Sequence, residues 1–330
     1  MNKLLLTHAP LARRQYYGTR ALTRLQELVE VVLHEGEAPL DPQGVIGMAR
    51  GVDFIVADRS TAVPAIVFES LPGLRAVMRS AIDIRNIDVA AASRAGVLVT
   101  HAEAGFVQSV VELTLGLLVD LSRGMSRATA AYHEGRKPEI RVGRQLGGAT
   151  AGIIGYGRIS RALAPVLAQL GMTVLVSDPY AQVDDRRFVK LPMEELLAKA
   201  DYVICLAIAN EETENLLDAA AFARMKPDAF FINMSRGNLV DEAALARVLT
   251  EGRIAGAAMD VGRAPDQMPS PELARLPNVI ATPHIGGLTP PASESQAMDT
   301  VRQVEALVKG EVPPGAVNLA SWSRRSRGQG

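Results

Sequence analysis

The sequence predicts an α/β protein of two units, each a doubly wound parallel sheet with helices on both faces. Three observations predict this class. Short apolar runs alternate with helical stretches along most of the 330 residues. The runs are apolar throughout, which is typical of strands buried on both faces, and right-handed crossovers place helices on each side. The alternation resumes after Gly147-Gly148, and a chain of this length has room for about two domains.

The predicted elements follow from these runs and from the Gly, Pro and Asp residues between them. Strands of the first part are predicted at 3–7, 29–33, 54–57, 74–78 and 97–100. Strands of the second part are predicted at 151–154, 173–177, 202–206, 230–233, 255–259 and 279–281. Helices between the latter are predicted at 159–170, 193–199, 218–225 and 241–250.

The segment 109–127, between the two parts, is helical in propensity and carries apolar residues on more than one stripe. A helix that is apolar nearly all round is buried nearly all round. Two interpretations are equally open. The helix is a core linker, or it is a homodimer interface in which Leu113, Leu117 and Leu121 face a symmetry-related chain.

Composition excludes several classes. At 48% hydrophobic and 22% charged residues, the chain is unlike a disordered protein. A net charge of -1 lacks the electrostatic footprint of a nucleic-acid binder, and we interpret the basic cluster Arg324, Arg325 and Arg327 as a solvated end. No run of about 18 apolar residues occurs, so we expect no membrane partner.

Cysteine usage and the N-terminus bear on location. The single cysteine, Cys205, sits in the apolar run 202–208, which predicts a buried inert thiol and a reducing compartment. The run Leu4-Leu5-Leu6 is too short for the apolar region of a signal peptide. We therefore expect a cytoplasmic protein.

A glycine-rich loop joins strand 151–154 to helix 159–170. In a Rossmann-type fold the first glycine permits a tight turn, the second lets a pyrophosphate approach, and the third permits close helix packing. Gly155 and Gly157 match the first two positions, but Ser160 stands at the third. A turn that binds no ligand is the alternative interpretation.

The choice of cofactor rests on Asp178, which ends strand 173–177 and lies 23 residues after Gly155. A carboxylate there accepts the hydroxyls of an adenosine ribose and repels a 2′-phosphate. The sequence therefore predicts NAD over NADP. Arg186 and Arg187 are the residues that would reverse this choice.

Two further residues lie at predicted strand ends. Arg236 precedes Gly237, and its planar guanidinium is suited to hold a carboxylate through two hydrogen bonds; a surface salt bridge is the alternative. His284, one of five histidines, lies between Pro283 and a glycine pair. It is a candidate for proton transfer, or a buried structural imidazole.

Three ordered motifs resemble the D-2-hydroxyacid dehydrogenase family: the glycine loop, the segment 233–242 and the segment 282–289. The similarity spans roughly 74–308. It implies a Rossmann-type dinucleotide-binding domain at 100–289. It also implies a second, discontinuous flavodoxin-like α/β domain for the substrate at 1–99 and 290–330, and a homodimer through the 109–127 helix.

The resemblance also implies a reaction, the transfer of a hydride between NAD(H) and a 2-keto acid or (R)-2-hydroxy acid. Arg236 then binds and polarises the keto acid, His284 exchanges the proton, and Asp260 contacts the nicotinamide carboxamide. No metal is expected. The implied cofactor contacts are Gly155, Tyr156, Gly157, Arg158, Ile159, Asp178, Ala207, Met234, Asp260, His284 and Gly286.

The sequence departs from the family where the partner of the histidine is expected. The family has a glutamate five residues after the aspartate at 260, but here that position is Pro265 and Asp266 follows it. A carboxylate beside an imidazole orients the ring and raises its pKa. Asp266 is therefore a third catalytic candidate, if the loop shifts by one residue.

The substrate segment departs as well. Arg79 matches a position that in some relatives gives an extra carboxylate contact, whereas Asp83 is unfavourable beside an incoming carboxylate. Asp83 either points away or selects a substrate with a hydroxyl or amine. The expected substrate contacts are Arg79, Ala81, Ile82, Asp83, His101, Phe106 and Arg236. An NAD(H)-binding regulatory or interaction protein with a degenerate active site is the alternative function.

Overall fold

The computed structural model describes residues 1–264 and 267–325. It divides into two compact units, unit 1 (Met1–Phe106 with Leu288–Gly330) and unit 2 (Val107–Gly287). The sequence placed the first boundary at residue 99. The last strand of the first sheet runs past that residue, because it extends through His101 and pairs there with its neighbour.

Unit 1 contains a five-stranded parallel sheet in the order β2-β1-β3-β4-β5. This is the flavodoxin-like strand order, which the resemblance implied. The strands are β1 Lys3–Leu6, β2 Glu30–Leu33, β3 Phe54–Ala57, β4 Ala76–Arg79 and β5 Leu98–His101. The helices are α1 Pro10–Tyr16, α2 Thr19–Leu28, α3 Pro42–Met48, α4 Ala65–Ser70, α5 Val89–Arg94 and α13 Pro290–Lys309.

Both faces of this sheet are buried, which explains the continuous apolar runs. Leu5, Ile55 and Val77 pack on one face with residues of α3, α4 and α5. Leu4 and Phe54 lie on the other face, where α2 and α13 cover them. At about 25 cal/mol per Å² of apolar area, burial on two faces is the main stabilising contribution to these short strands.

Unit 2 contains a seven-stranded parallel sheet in the order β12-β11-β10-β9-β6-β7-β8. The order reverses at the β6/β9 pair, as in the Rossmann-type fold. The strands are β6 Thr150–Ile154, β7 Thr173–Ser177, β8 Phe188–Lys190, β9 Tyr202–Cys205, β10 Phe230–Asn233, β11 Gly256–Met259 and β12 Val279–Ala281. The helices are α6 Val107–Arg123, α7 Met125–His133, α8 Arg158–Gln169, α9 Met193–Lys199, α10 Ala219–Ala223, α11 Glu242–Thr250 and α12 Pro271–Ala274.

The predicted helix 109–127 is two helices. The helix α6 ends at Arg123, because Gly124 adopts a left-handed conformation with φ 66°, and α7 begins at Met125. Leu117 is only 4% exposed and packs within unit 2. The interpretation that Leu117 faces a second chain is therefore wrong; Val119, 37% exposed, is on the open side of the helix.

The end of the chain also differs from expectation. Arg324 is half-buried, and its Nη1 donates to the carbonyl oxygens of Leu71 and Leu74 at 3.0 and 3.1 Å. The guanidinium of Arg325 lies over the Trp322 ring. Arg327 lies outside the described residues. Within residues 1–264 and 267–325, no helix is long and apolar enough to cross a membrane.

Candidate active site

The predicted cofactor residues all lie in unit 2, in or next to segments that leave the carboxyl ends of its parallel strands. Ligands of open α/β sheets bind at this edge, beside the point where the strand order reverses. The loop after β6 and the first residues of α8 carry Gly155 to Ile159, and the residue after β7 is Asp178. Ala207, Met234, Asp260 and the segment 284–286 follow β9, β10, β11 and β12.

The glycine loop has the conformation that a phosphate-binding turn requires. Gly155 has φ 90°, and a Cβ on it would lie 2.5 Å from the Cα of Ala207, so no other residue fits. Ser160 is buried, and its hydroxyl donates to the Gly155 carbonyl at 2.6 Å. The serine at the third glycine position therefore stabilises the turn. A Cβ on Gly157 would extend into open space at the start of α8.

Asp178 is held by the backbone around it. Its Oδ2 accepts from Tyr156 N at 2.7 Å, and its Oδ1 accepts from Tyr180 N and Ala181 N at 2.9 and 2.8 Å. Partial burial opposes ionisation, but these three donors prevail and lower the pKa of Asp178 below its ordinary value. The group is a carboxylate at neutral pH.

Arg187, one of the two residues that would favour NADP, is engaged elsewhere. Its Nε and Nη2 donate to the two oxygens of Asp185 at 3.0 and 2.6 Å. Its guanidinium also lies over the ring of Phe188, 5.3 Å from the ring centroid. Arg186, the other such residue, is exposed, so these contacts remove only Arg187 from the choice between NAD and NADP.

Asp260 organises the segment that carries His284. It is 2% exposed, and its Oδ1 accepts from Thr282 Oγ1 at 2.6 Å and from Ile285 N at 2.8 Å. Its Oδ2 accepts from Gly286 N at 2.7 Å. Burial raises the pKa of Asp260, and the three donors oppose that rise. The carboxylate thus holds the residues that precede and follow His284 in the chain.

His284 itself has a left-handed backbone, with φ 53°, which is uncommon for a residue with a side chain. Its N–H donates to Thr282 O at 2.9 Å, and the side chain is half-buried. Such a conformation costs about 1 to 3 kcal/mol and persists where surrounding contacts enforce it. Here the hydrogen bonds of Asp260 enforce it.

Arg236 leaves the end of β10 on a turn held by Asn233. Asn233 is 1% exposed; its Nδ2 donates to Arg236 O at 2.9 Å and its Oδ1 accepts from Ser235 N at 3.1 Å. Ser235 Oγ donates to Ala207 O at 2.6 Å, which ties this turn to the segment after β9. Arg236 Nη1 donates to Ser235 O at 2.7 Å, and its side chain is half-buried.

The third catalytic candidate, Asp266, and the neighbouring Pro265 lie outside the described residues. The residues on either side are held together, since Gly262 N donates to Gln267 O at 3.0 Å and Gln267 N donates to Ala264 O at 2.7 Å. Arg263 anchors this loop through Nε to Val240 O at 3.0 Å. The role of Asp266 stays a prediction.

The expected substrate residues other than Arg236 lie in unit 1, at the end of β4 and after it, and in and after β5. Asp83 forms a two-point ion pair with Arg85, from Nε to Oδ1 at 2.9 Å and from Nη2 to Oδ2 at 2.7 Å. Arg85 therefore balances the Asp83 charge, which alone is unfavourable for an acidic substrate. Ala81, His101 and Phe106 are half-buried, and Ile82 is 40% exposed.

Two positioning residues escaped the sequence analysis, Asn233 and Thr282. Both are adjacent to residues that it did select, within the segments 233–242 and 282–289. A polar side chain at the end of an apolar strand or directly after it was the available signal, because such a side chain needs a hydrogen-bond partner when it is buried.

Comparison with known proteins decides the family. Residues 115–286 match the model of the D-isomer specific 2-hydroxyacid dehydrogenase, NAD binding domain. The chain belongs to this family. It is 35% identical to D-3-phosphoglycerate dehydrogenase of Mycobacterium tuberculosis over 84% of this chain and 53% of that protein, so it spans about half the length of that relative. It is 31% identical to glyoxylate reductase of Korarchaeum cryptofilum, over 91% of this chain and 92% of that protein.

Solved structures agree with this family. The TT0316 protein from Thermus thermophilus has a TM-score of 0.86 and 30% identity, with coverage of 96% of this chain and 99% of that chain. Unit 2 is thus the NAD binding domain of a D-2-hydroxyacid dehydrogenase family member. Its residues fit NAD, since Gly157 leaves open space at the start of α8 and Asp178 is ionised at the end of β7.

Proposed function

We propose that this protein is an oxidoreductase that interconverts a 2-keto acid and an (R)-2-hydroxy acid with NAD(H). One observation carries the proposal. Arg236 and His284 follow β10 and β12, on either side of β11, and Asp260 at the end of β11 holds the His284 segment through three hydrogen bonds. A cation suited to a carboxylate and an imidazole suited to proton transfer, at the ends of the two strands that flank β11 in an NAD binding domain, support this proposal.

Each residue has a distinct task in this proposal. Arg236 binds the carboxylate of the keto acid and draws electron density from its carbonyl. His284 donates a proton to the C2 oxygen during reduction and takes it back during oxidation. NAD(H), when bound, supplies or accepts the hydride at C2. Asp178 holds the adenosine ribose, and Gly155 and Gly157 allow the pyrophosphate to approach α8.

In this proposal, the two units bind different molecules. Unit 2 is the cofactor domain, and unit 1 is the substrate domain, to which Arg79, Ala81, Ile82, Asp83, His101 and Phe106 belong. The sequence placed these domains at 100–289 and at 1–99 with 290–330. We take the limits of the two compact units, Phe106 and Leu288, as the proposed domain limits.

The test is turnover with a panel of 2-keto acids of different size and charge, including glyoxylate, pyruvate and 2-ketoglutarate, with NADH oxidation as the readout. We expect Arg236→Ala and His284→Gln to lower kcat/KM at least 100-fold, or about 2.7 kcal/mol. Arg247→Ala, at an exposed arginine of α11, is the matched control and should retain activity. If NADH binds but no keto acid is reduced faster than by Arg236→Ala, the protein is instead an NAD(H)-binding regulatory protein.

A homodimer is part of this proposal. Exposed apolar side chains in unit 2 concentrate on α6, α7 and the segment that follows them, and they are Val119, Met125, Tyr132, Ile140 and Val142. A concentration of this kind is typical of an interaction surface. Val119→Arg combined with Ile140→Arg should give a monomer in light scattering, whereas Leu170→Arg, at another exposed apolar position, should not. A monomeric wild-type protein at micromolar concentration contradicts the dimer.

The location that we propose is the cytoplasm. Cys205 is fully buried, and burial raises the pKa of its thiol to about 12, so it is an inert thiol of the kind that a reducing compartment preserves. The partners of the protein in this proposal are its small-molecule keto acid or hydroxy acid and a second copy of the chain.

A further inference from the structure

A cluster of buried polar side chains lies at the carboxyl edge of the unit 1 sheet. His8 follows β1, Asp58 follows β3, and Arg79 and Ser80 stand at the end of β4. His8 is 1% exposed, and Arg79 and Ser80 are each 6% exposed. Buried groups of this kind need hydrogen-bond partners, so their contacts show what the cluster is built to hold.

The contacts form a relay from Arg79 to His8. Arg79 Nη1 donates to Ala57 O at 3.3 Å and to Ser80 Oγ at 3.2 Å. Ser80 Oγ lies 3.3 Å from His8 Nε2. Because a guanidinium only donates, Ser80 accepts from Arg79 and is free to donate its own proton to His8 Nε2. With this direction of the bond, the imidazole is neutral and carries its proton on Nδ1, a buried atom with no hydrogen-bond partner among the described residues.

The electrostatics of the cluster agree with a neutral ring. Burial lowers the pKa of His8 to about 4, Arg79 and Arg13 act in the same direction, and Asp58 opposes them. Burial also lowers the pKa of Arg79, to about 10, so this residue remains a cation at neutral pH. Arg79 forms no ion pair among the described residues, and its Nε has no hydrogen-bond partner.

A buried cation without an ion pair is costly unless an anion joins it. Asp58 and Asp83 act electrostatically on Arg79, but the Asp58 carboxylate accepts at Oδ1 from Thr61 N and Oγ1, at 2.8 and 2.7 Å. The imidazole of His8 also packs against Tyr17, with 5.3 Å between the ring centroids. The Tyr17 hydroxyl is in turn hydrogen-bonded to Thr300 Oγ1 at 2.6 Å.

We propose that His8 is a positioning residue that acts through Ser80 to hold the guanidinium of Arg79 toward an anionic group of the substrate. The inference rests on the proposed function and deepens it. Arg79 supplies the charge, Ser80 transmits the hydrogen bond, and His8 fixes the direction of the serine hydroxyl. A glutamine at position 8 has an amide oxygen that can accept from Ser80 near the position of Nε2. The amide of an asparagine reaches only the position of Nδ1, so it leaves Ser80 without this acceptor.

The experiment compares His8→Gln with His8→Asn, using the keto acid that the panel identifies. His8→Asn should raise KM about tenfold, equivalent to about 1.4 kcal/mol, with kcat within about twofold, because Arg79 contributes binding that is equal in ground and transition states. His8→Gln should restore most of the affinity. In an Arg79→Gln background, His8→Asn should have no further effect on KM.

Three outcomes overturn the proposal: equal KM for His8→Gln and His8→Asn, a full His8→Asn effect in the Arg79→Gln background, or loss of thermal stability with KM unchanged.

The ring nitrogen shifts of His8 in ¹⁵N-histidine-labelled wild-type protein provide a test that needs no turnover. We expect the Nδ1-protonated form, and protonation on Nε2 refutes the relay. A wild-type protein without turnover but with this tautomer would refute the proposed function and leave the relay intact.

Discussion

Replacing Asp260 with asparagine tests the feature on which the active site depends. The carboxylate accepts from Thr282 Oγ1, Ile285 N and Gly286 N, all within 2.8 Å. In Asp260→Asn, the amide nitrogen must face at least one of these donors, whichever way the side chain is turned. One charged hydrogen bond, worth about 1.5 to 3 kcal/mol, is lost, and a buried N–H is left without an acceptor.

The net effect is smaller than the sum of these losses, because burial already disfavours the charge on Asp260 and raises its pKa. We expect the free energy of unfolding to fall by about 2 kcal/mol. The His284 segment then relaxes from its left-handed conformation, and the same energy corresponds to about a 30-fold loss in kcat/KM.

Chemical denaturation and steady-state NADH oxidation measure the two effects. Asp241→Asn is the matched control, because Asp241 caps α11 through a single bond from Ala244 N at 3.0 Å and asparagine caps a helix equally well. If Asp260→Asn unfolds at the same denaturant concentration as the wild type and retains kcat/KM within about twofold, the three hydrogen bonds do not hold the histidine.

Two other predictions concern cofactor choice and acid stability. In a fluorescence titration, Asp178→Ala should weaken NADH binding about tenfold and reduce the ratio by which NADH binds more tightly than NADPH. Asp185→Ala, the control, should change neither quantity. Tighter binding of NADPH than of NADH by the wild type contradicts the argument. For His8, the folded pKa of about 4 lies below the ordinary value of 6.5, so stability present above pH 6.5 is lost as pH falls toward 4. In urea denaturation, the free energy of unfolding should fall by up to about 1.4 kcal/mol per pH unit in this range, and His8→Phe should remove that dependence. If His8→Phe shows the same pH dependence as the wild type, His8 is not its source.

The strands were the most predictable part of the fold. The predicted ranges 54–57, 173–177, 230–233 and 279–281 match the observed strands, because burial on both faces produces uninterrupted apolar runs. The strand β8 was missed, since Phe188–Lys190 has only three residues and Val189 and Lys190 are exposed. The break at Gly124 was missed because the apolar residues of α6 hid the helix end.

In the candidate site, too, some features were predictable from the sequence and others were not. The glycine loop and Asp178 were predictable because a local motif carries their chemistry. The hydrogen bonds of Asp260 to residues 282–286 depend on the alignment of β11 with β12, and sequence spacing does not encode that alignment. The His8 relay joins residues 72 apart, so only the finished sheet brings them together.

The helix α13 has a consequence for how the chain folds. It comes from the far end of the sequence, yet Thr300 bonds to Tyr17, which is 283 residues earlier, and Gln303 Oε1 accepts from Thr100 Oγ1, 203 residues earlier. Contacts of such sequence separation form slowly, because the entropy of closing a long loop is lost first. During synthesis, unit 2 emerges in full before α13 does. Residues 1–106 of unit 1 are therefore made before unit 2, but their fold is completed only after it, when α13 becomes available to pack against them.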